Sequence, residues 1–276
     1  MRKTGYLRSF RHIIFFMFLL WMVMTFRTTA LAWPPFLTDD PEPVPFKHWE
    51  AYLFSTVDDT RKQTDVTGPA FEFNVGALPN LQTHLVIPIA YASSEGGPRN
   101  YGLGDIELGV KYVFIQEAEH QPMVGVFPML EIPTGNDGRG LGNGRAWWRV
   151  PLWLQKSWGP WTTYGGAGYV INPTPGARNY CFGGWLIQRD FGEKLTFGGE
   201  IFAQGKSSDD TRSSVAFNLG GYFKNHAGLP TPLFWGHSLA GDRHTIGYLG
   251  LYWTGGFSKH IQKHAGSKSL RAPIEE

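Results

Sequence analysis

A histidine and a serine stand side by side at His237 and Ser238 in this 276-residue chain, with a further histidine at His244. Such residues could perform acyl transfer if the imidazole took the hydroxyl proton, which requires both side chains on one face. The surrounding residues read as a strand, and adjacent strand residues point to opposite faces, so this pair cannot cooperate. His244 could reach over from the next strand, but the sequence indicates no third residue to orient it. The glycine-rich stretch GRGLGNG at 138–144 resembles a phosphate cradle. That chemistry needs a helix N-terminus after the glycines, and here a strand is expected to begin at Ala146, so a flexible loop is the reading. The histidines His84, His226, His237 and His244 share no ligand spacing, and the one cysteine, Cys181, excludes both a disulfide and a thiolate cluster. Cys181 is expected to pack as a small apolar residue. No catalytic residue, metal or cofactor is expected.

The polar residues with regular spacing are more informative. In GDIELGVKYVF at 104–114, Ile106, Leu108, Val110, Tyr112 and Phe114 alternate with Glu107, Gly109, Lys111 and Val113. Period-two alternation makes a strand with one apolar face and one polar face. The same pattern sets Glu72 and Asn74 opposite Phe71, Phe73 and Val75, and His84 opposite Leu85 and Ile87. It sets Arg149 and Gln155 opposite Val150, Leu152 and Leu154, and Glu200 and Gln204 opposite Phe197 and Ile201. If the polar faces share one interior, its lining candidates are Glu72, Asn74, His84, Glu107, Lys111, Glu131, Arg149, Gln155, Glu200 and Gln204. Each serves equally well in an interior ion pair that fills a narrow barrel. Glu131 and Arg149 are expected to pair across neighbouring strands, leaving Glu72, Glu107 and Glu200 to favour cations.

The elements that would position these side chains are twelve strands of roughly ten residues, near 48–57, 69–78, 81–92, 104–115, 122–132, 146–157, 161–171, 179–189, 194–204, 213–224, 232–241 and 244–254. Ten residues is the length that a tilted strand needs to cross a bilayer, and the count is even. Longer polar connections alternate with shorter ones such as Pro79-Asn80 and Gly159-Pro160, as in an up-and-down barrel; 116–121 and 225–231 are long for the short class. The strands at 161–171 and 179–189 are too glycine-rich to orient. Trp49, Tyr91, Trp148, Trp158, Trp161, Tyr180, Trp235 and Trp253 suit interfacial aromatic girdles.

The fold class expected is therefore all-β: an antiparallel transmembrane β-barrel of about twelve strands, preceded by a signal-peptide helix. Residues 1–32 carry a basic start, an apolar run and an Ala30-Leu31-Ala32 cleavage site, so the mature chain would begin at Trp33. Residues 33–47 are proline-rich, either a tether into the first strand or a plug in the lumen that uses Asp39 and Asp40. The barrel spans 48–254, and a polar tail covers 255–276. Charged residues make up only 17% of the chain, there are 35 glycines and the net charge is +2. With no basic stripe, nucleic acid is not an expected partner.

The chain resembles the outer-membrane barrels named for the meta pathway of phenol degradation, which are labelled as transporters. The resemblance rests on TDDPEPVPFKHWE at 38–50, GLGDIELGVKYVF at 102–114, EIPTG at 131–135 and PLWLQKSWGPWTTYGGAGYVINP at 151–173. It continues through GGWLIQRDFGEKLTFGGEIF at 183–202 and FNLGGYF at 217–223. It implies an outer-membrane barrel of this size and brings no established substrate or catalytic residue. Such barrels usually end on an aromatic residue that the assembly machinery reads, whereas a polar tail follows here. The function expected is a channel or transporter passing or binding a small solute by passive diffusion, an aromatic or hydrophobic solute included. Its partners would be outer-membrane lipid, the solute and the barrel-assembly machinery. A structural or adhesive barrel acting through its loops is the alternative, and an outer-membrane lipid hydrolase the third.

Overall fold

A computed structural model describes residues 36–61, 63–95, 97–224 and 230–257. The expected signal peptide, the mature start at Trp33, His226 and the tail beyond residue 257 lie outside the described residues. The strands are β1 (His48–Thr60), β2 (Gln63–Leu78), β3 (Leu81–Ser94), β4 (Arg99–Leu103), β5 (Ile106–Ile115), β6 (Met123–Val126) and β7 (Met129–Ile132). They continue as β8 (Trp147–Trp158), β9 (Trp161–Ile171), β10 (Tyr180–Phe191), β11 (Leu195–Gln204), β12 (Ser214–Lys224), β13 (Pro230–Ala240) and β14 (His244–Gly256). Each pairs antiparallel with its neighbours, and β1 closes on β14 from His48↔Gly256 to Thr60↔His244. No helix among the described residues is long and apolar enough to cross a membrane. The crossings are strands.

There are twelve crossings, because β4 with β5 and β6 with β7 are each one crossing broken in the middle. The sequence pattern predicts these as continuous strands. Prolines explain the breaks, since each removes a ladder donor. Pro88 of β3 faces the gap between β4 and β5, where Gly104 N donates to its carbonyl at 2.9 Å. Pro128 separates β6 from β7, and Val110 N donates to its carbonyl at 3.1 Å.

Both chain ends of the barrel gather at one rim with the connections 79–80, 116–122, 159–160 and 192–194; the long loops 133–146, 172–179 and 205–213 gather at the other, together with the short connection 241–243. At Pro79-Asn80 the proline presets the first turn position and Asn80 takes the left-handed conformation (φ 64°) that the second requires. The alternation sorts the faces as expected. On β5, Leu108, Val110, Tyr112 and Phe114 are exposed on the outer wall, while Gly109, Lys111 and Val113 are buried inside. With outer residues apolar and inner ones polar or aromatic, the barrel is inverted relative to a water-soluble sandwich.

Three expectations change at the rims. Tyr180 does not join an outer girdle; it faces inward against an aromatic cluster. Residues 255 and 256, expected in the tail, belong to β14, and Phe257 after them donates its amide to Lys47 O at 2.9 Å. Cys181 lies on the outer face of β10 and is exposed rather than packed.

Candidate functional site

The segment before β1 lies inside the barrel. Its Leu37 and Thr38 amides donate to the Glu200 carboxylate on β11 at 3.3 and 2.5 Å. At its other end the Val44 amide donates to Gln82 Oε1 on β3 at 2.9 Å. β3 and β11 are the third and ninth of the twelve crossings, so the segment spans the lumen from wall to opposite wall. Between these anchors Lys111 Nζ donates to Asp39 Oδ1 (3.1 Å) and lies 3.5 Å from Asp40 Oδ1, and Gln155 donates to Glu42 Oε2 (3.1 Å). Thr38, Asp40 and Val44 are almost wholly buried. Of the two sequence readings for 33–47, the described part of the segment occupies the lumen.

Glycines make the room. A Cβ at Gly184 on β10 would collide with Thr38 Oγ1, and one at Gly76 on β2 would collide with the Pro45 carbonyl. That use of inward glycine is why the strands at 161–171 and 179–189 resist orientation from sequence. At Gly168 the space goes to the Phe182 ring instead.

Beyond the segment, toward the loop rim, lies a cavity of about 930 Å³. One wall is a ladder of charges running across β2 to β8. Asn74 Nδ2 donates to Glu72 Oε1 at 2.7 Å, His84 Nδ1 meets Asn74 Oδ1 at 2.7 Å and His84 Nε2 meets Glu107 Oε1 at 2.8 Å. Glu107 is then directly opposite Glu131 on β7. Arg149 on β8 ends the ladder with its guanidinium 4.3 Å from the centre of the Phe182 ring. Against this ladder packs an apolar cluster of Phe127, Met129, Trp153, Val170, Phe182 and Phe202, which continues onto β9, β10 and β11, with Leu37, Trp147 and Tyr180 packed on it.

All ten sequence-derived lining residues point inward, but they do different things. Glu72, Asn74, His84, Glu107, Glu131, Arg149 and Gln204 line the cavity. Lys111 lies at its floor, and Gln155 and Glu200 hold the segment from below. The expected Glu131–Arg149 pair is absent among the described residues. The register sets Glu131 opposite Trp147 and Arg149 opposite Met129, a diagonal, and the guanidinium stacks on Phe182 instead. Glu200 is also not a free carboxylate in the field of the pore. Besides the two segment amides it accepts from Asn218 Nδ2 at 2.5 Å.

Sequence reasoning missed Asp105. Its carboxylate accepts from Gly135 N (2.9 Å) and Asn143 N (2.6 Å), folding the loop 133–146 inward so that Leu141 is buried and lines the cavity. The stretch 138–144 is therefore tied down rather than free, and a strand follows it. A carboxylate in the strand break at Gly104-Asp105 was the available signal. The serine and histidines also fall into place. His237 faces outward against Trp235 and Ser238 faces inward. His244 does have an orienting carboxylate, Asp58, at 2.9 Å, but the Ser238 hydroxyl accepts from the His244 backbone amide, not its ring.

The barrel matches the COG4313 outer membrane channel from Pseudomonas putida F1 with a TM-score of 0.64 at 16% identity, covering 78% of this chain and 98% of that one. The two share a closed β-barrel fold. The NanC porin matches with a TM-score of 0.51 at 7% identity, over 73% of this chain and 98% of that one. No protein-family model matches the sequence, and no curated protein matches it. At these identities the likeness concerns architecture: a closed, porin-like barrel of twelve antiparallel strands.

Proposed function

We propose that the chain is exported by a signal peptide at residues 1–32 to the outer membrane of a Gram-negative cell. There it passes or binds a small solute by passive diffusion, with the loop rim outside. The observation that carries this reading is the cavity of about 930 Å³, which runs from the loop rim to the inserted segment and is lined by a charge ladder and an adjoining aromatic cluster. A charged wall replaces part of a solute's hydration, while an aromatic wall binds its apolar body, so amphipathic molecules are favoured over ions or hydrocarbons. The segment is the barrier on the turn side and must yield for transit.

The lining carboxylates Asp39, Asp58, Asp65, Glu72, Asp105, Glu107 and Glu131 outnumber Lys111 and Arg149. The field consequently favours cations and neutral molecules over anions. Conductance in planar bilayers, with reversal potentials in a salt gradient, tests the reading. Weak cation preference is expected. A clear anion preference refutes the field argument, and absence of any conductance or solute flux after deletion of residues 36–44 refutes the channel. Recovery as a soluble periplasmic protein, without a heat-modifiable gel shift, would end the outer-membrane assignment.

A further inference from the structure

The charge ladder ends in two groups that join no ion pair among the described residues. Among the described residues, Glu131 joins no ion pair with a basic side chain; its cross-strand neighbour is another carboxylate, Glu107, with which it shares a side-chain hydrogen bond. Carboxyl groups set against each other repel unless a proton or a cation lies between them. One strand away, Arg149 also has no ion-pair partner, and its Nε is buried without an acceptor. Its guanidinium stacks on the face of Phe182, at 4.3 Å. The two charges are near enough to act on each other, yet the diagonal register and the ring stack keep them from pairing. Beside them stand Trp147 and Tyr180, packed on the cluster that contains Phe182.

We infer that this corner of the cavity is a binding site for a small zwitterion with an apolar body: an α-amino acid bearing an aromatic or large aliphatic side chain. The assignment rests on the channel reading above and deepens it. The ligand carboxylate takes the planar fork of Arg149, which is built for bidentate pairing. The ammonium lies between Glu131 and Glu107, and the side chain packs against Phe182, Trp147 and Tyr180. Neither charge alone serves as well. An isolated anion at Arg149 would face two carboxylates, and an isolated cation at Glu131 would face the guanidinium. A neutral apolar molecule would cover both ionic groups without pairing either, which costs their hydration.

The test uses the full-length mature barrel in planar bilayers and compares five probes for block of ionic current: phenylalanine, phenethylamine, 3-phenylpropionate, 2-phenylacetamide and glycine. Phenylalanine is expected to block at a concentration at least tenfold below each of the other four, which lack one charge, both charges or the ring. Glu131→Gln and Arg149→Gln should each remove that advantage, and Arg149→Lys should restore part of it. Quenching of tryptophan fluorescence by the same probes in detergent reads binding independently of current, and the heat-modifiable gel shift reports folding of each variant. Equal potency of phenylalanine and a singly charged analogue, or an unchanged phenylalanine effect in Glu131→Gln, overturns the site. A barrel that conducts ions but does not discriminate the probes loses this inference and keeps the channel. A barrel that binds phenylalanine selectively but never conducts loses the channel and keeps the site.

Discussion

Replacing Glu200 with alanine isolates the contact that holds the segment to the far wall. In the docked state the carboxylate accepts from Thr38 N at 2.5 Å, Leu37 N at 3.3 Å and Asn218 Nδ2 at 2.5 Å. The Asn218 bond persists when the segment leaves, so it cancels between docked and undocked states. The Thr38 bond, short and to a charged acceptor in a buried place, contributes ~1.5–3 kcal/mol net, and the longer Leu37 bond less, ~0.5–1 kcal/mol. Losing both weakens docking by roughly 2–4 kcal/mol, a shift of about 30- to 700-fold in the ratio of docked to undocked forms. Single-channel recording should show longer or more frequent openings at unchanged polarity of selectivity. Limited proteolysis from the turn side should cut the segment faster. If Glu200→Ala matches the parent in both assays while deletion of residues 36–44 opens the pore, the segment is not held by Glu200. If the deletion changes nothing either, the segment is not the barrier.

Other perturbations separate wall from lumen and loop from segment. Leu108→Arg puts a charge on the outer face near the middle of its crossing and should cost ~2–4 kcal/mol in refolding titrations into lipid, whereas its inward neighbour Glu107→Gln should fold nearly as the parent does. Asp105→Ala removes the acceptor for Gly135 N and Asn143 N, so tryptic cleavage at Arg139 should accelerate at least tenfold while the barrel stays folded. Gly184→Val drives a side chain into Thr38 without altering any charge, and should mimic Glu200→Ala in raising conductance.

How far the sequence reaches can be judged at particular residues. Stretch 104–114 orients itself because every outward position from Leu108 to Phe114 is apolar while the inward ones include the charged Lys111 and a glycine. β9 and β10 do not, since their inward positions mix glycine with Tyr164, Phe182 and Leu186, and the reason lies in a neighbour: Thr38 fills the space that Gly184 leaves. Tyr180 was misplaced for a related cause, because an aromatic residue at a strand end suits a girdle or an interior wall equally until parity is known. The anchoring of the segment was least legible. Its bonds to Glu200 and Gln82 come from backbone amides, which every residue except proline carries, so no side-chain type announces them. Glu200 consequently looked like one more lumen charge.

The division between segment and cavity bears on how such a barrel could be both tight and selective. The residues that hold the segment (Glu200, Gln82, Lys111 and Gln155) are not those with unpaired charge in the cavity above it (Glu131 and Arg149). Of the first set, Glu200 and Gln155 do not line the cavity, so part of the hold on the segment is out of a solute's reach. The two functions meet at the floor. Asp39 both pairs with Lys111 and lines the cavity, and Leu37 packs on the same aromatic cluster that faces Arg149. A solute seated against that cluster competes with Leu37 for apolar surface, and a solute cation competes with Lys111 for Asp39.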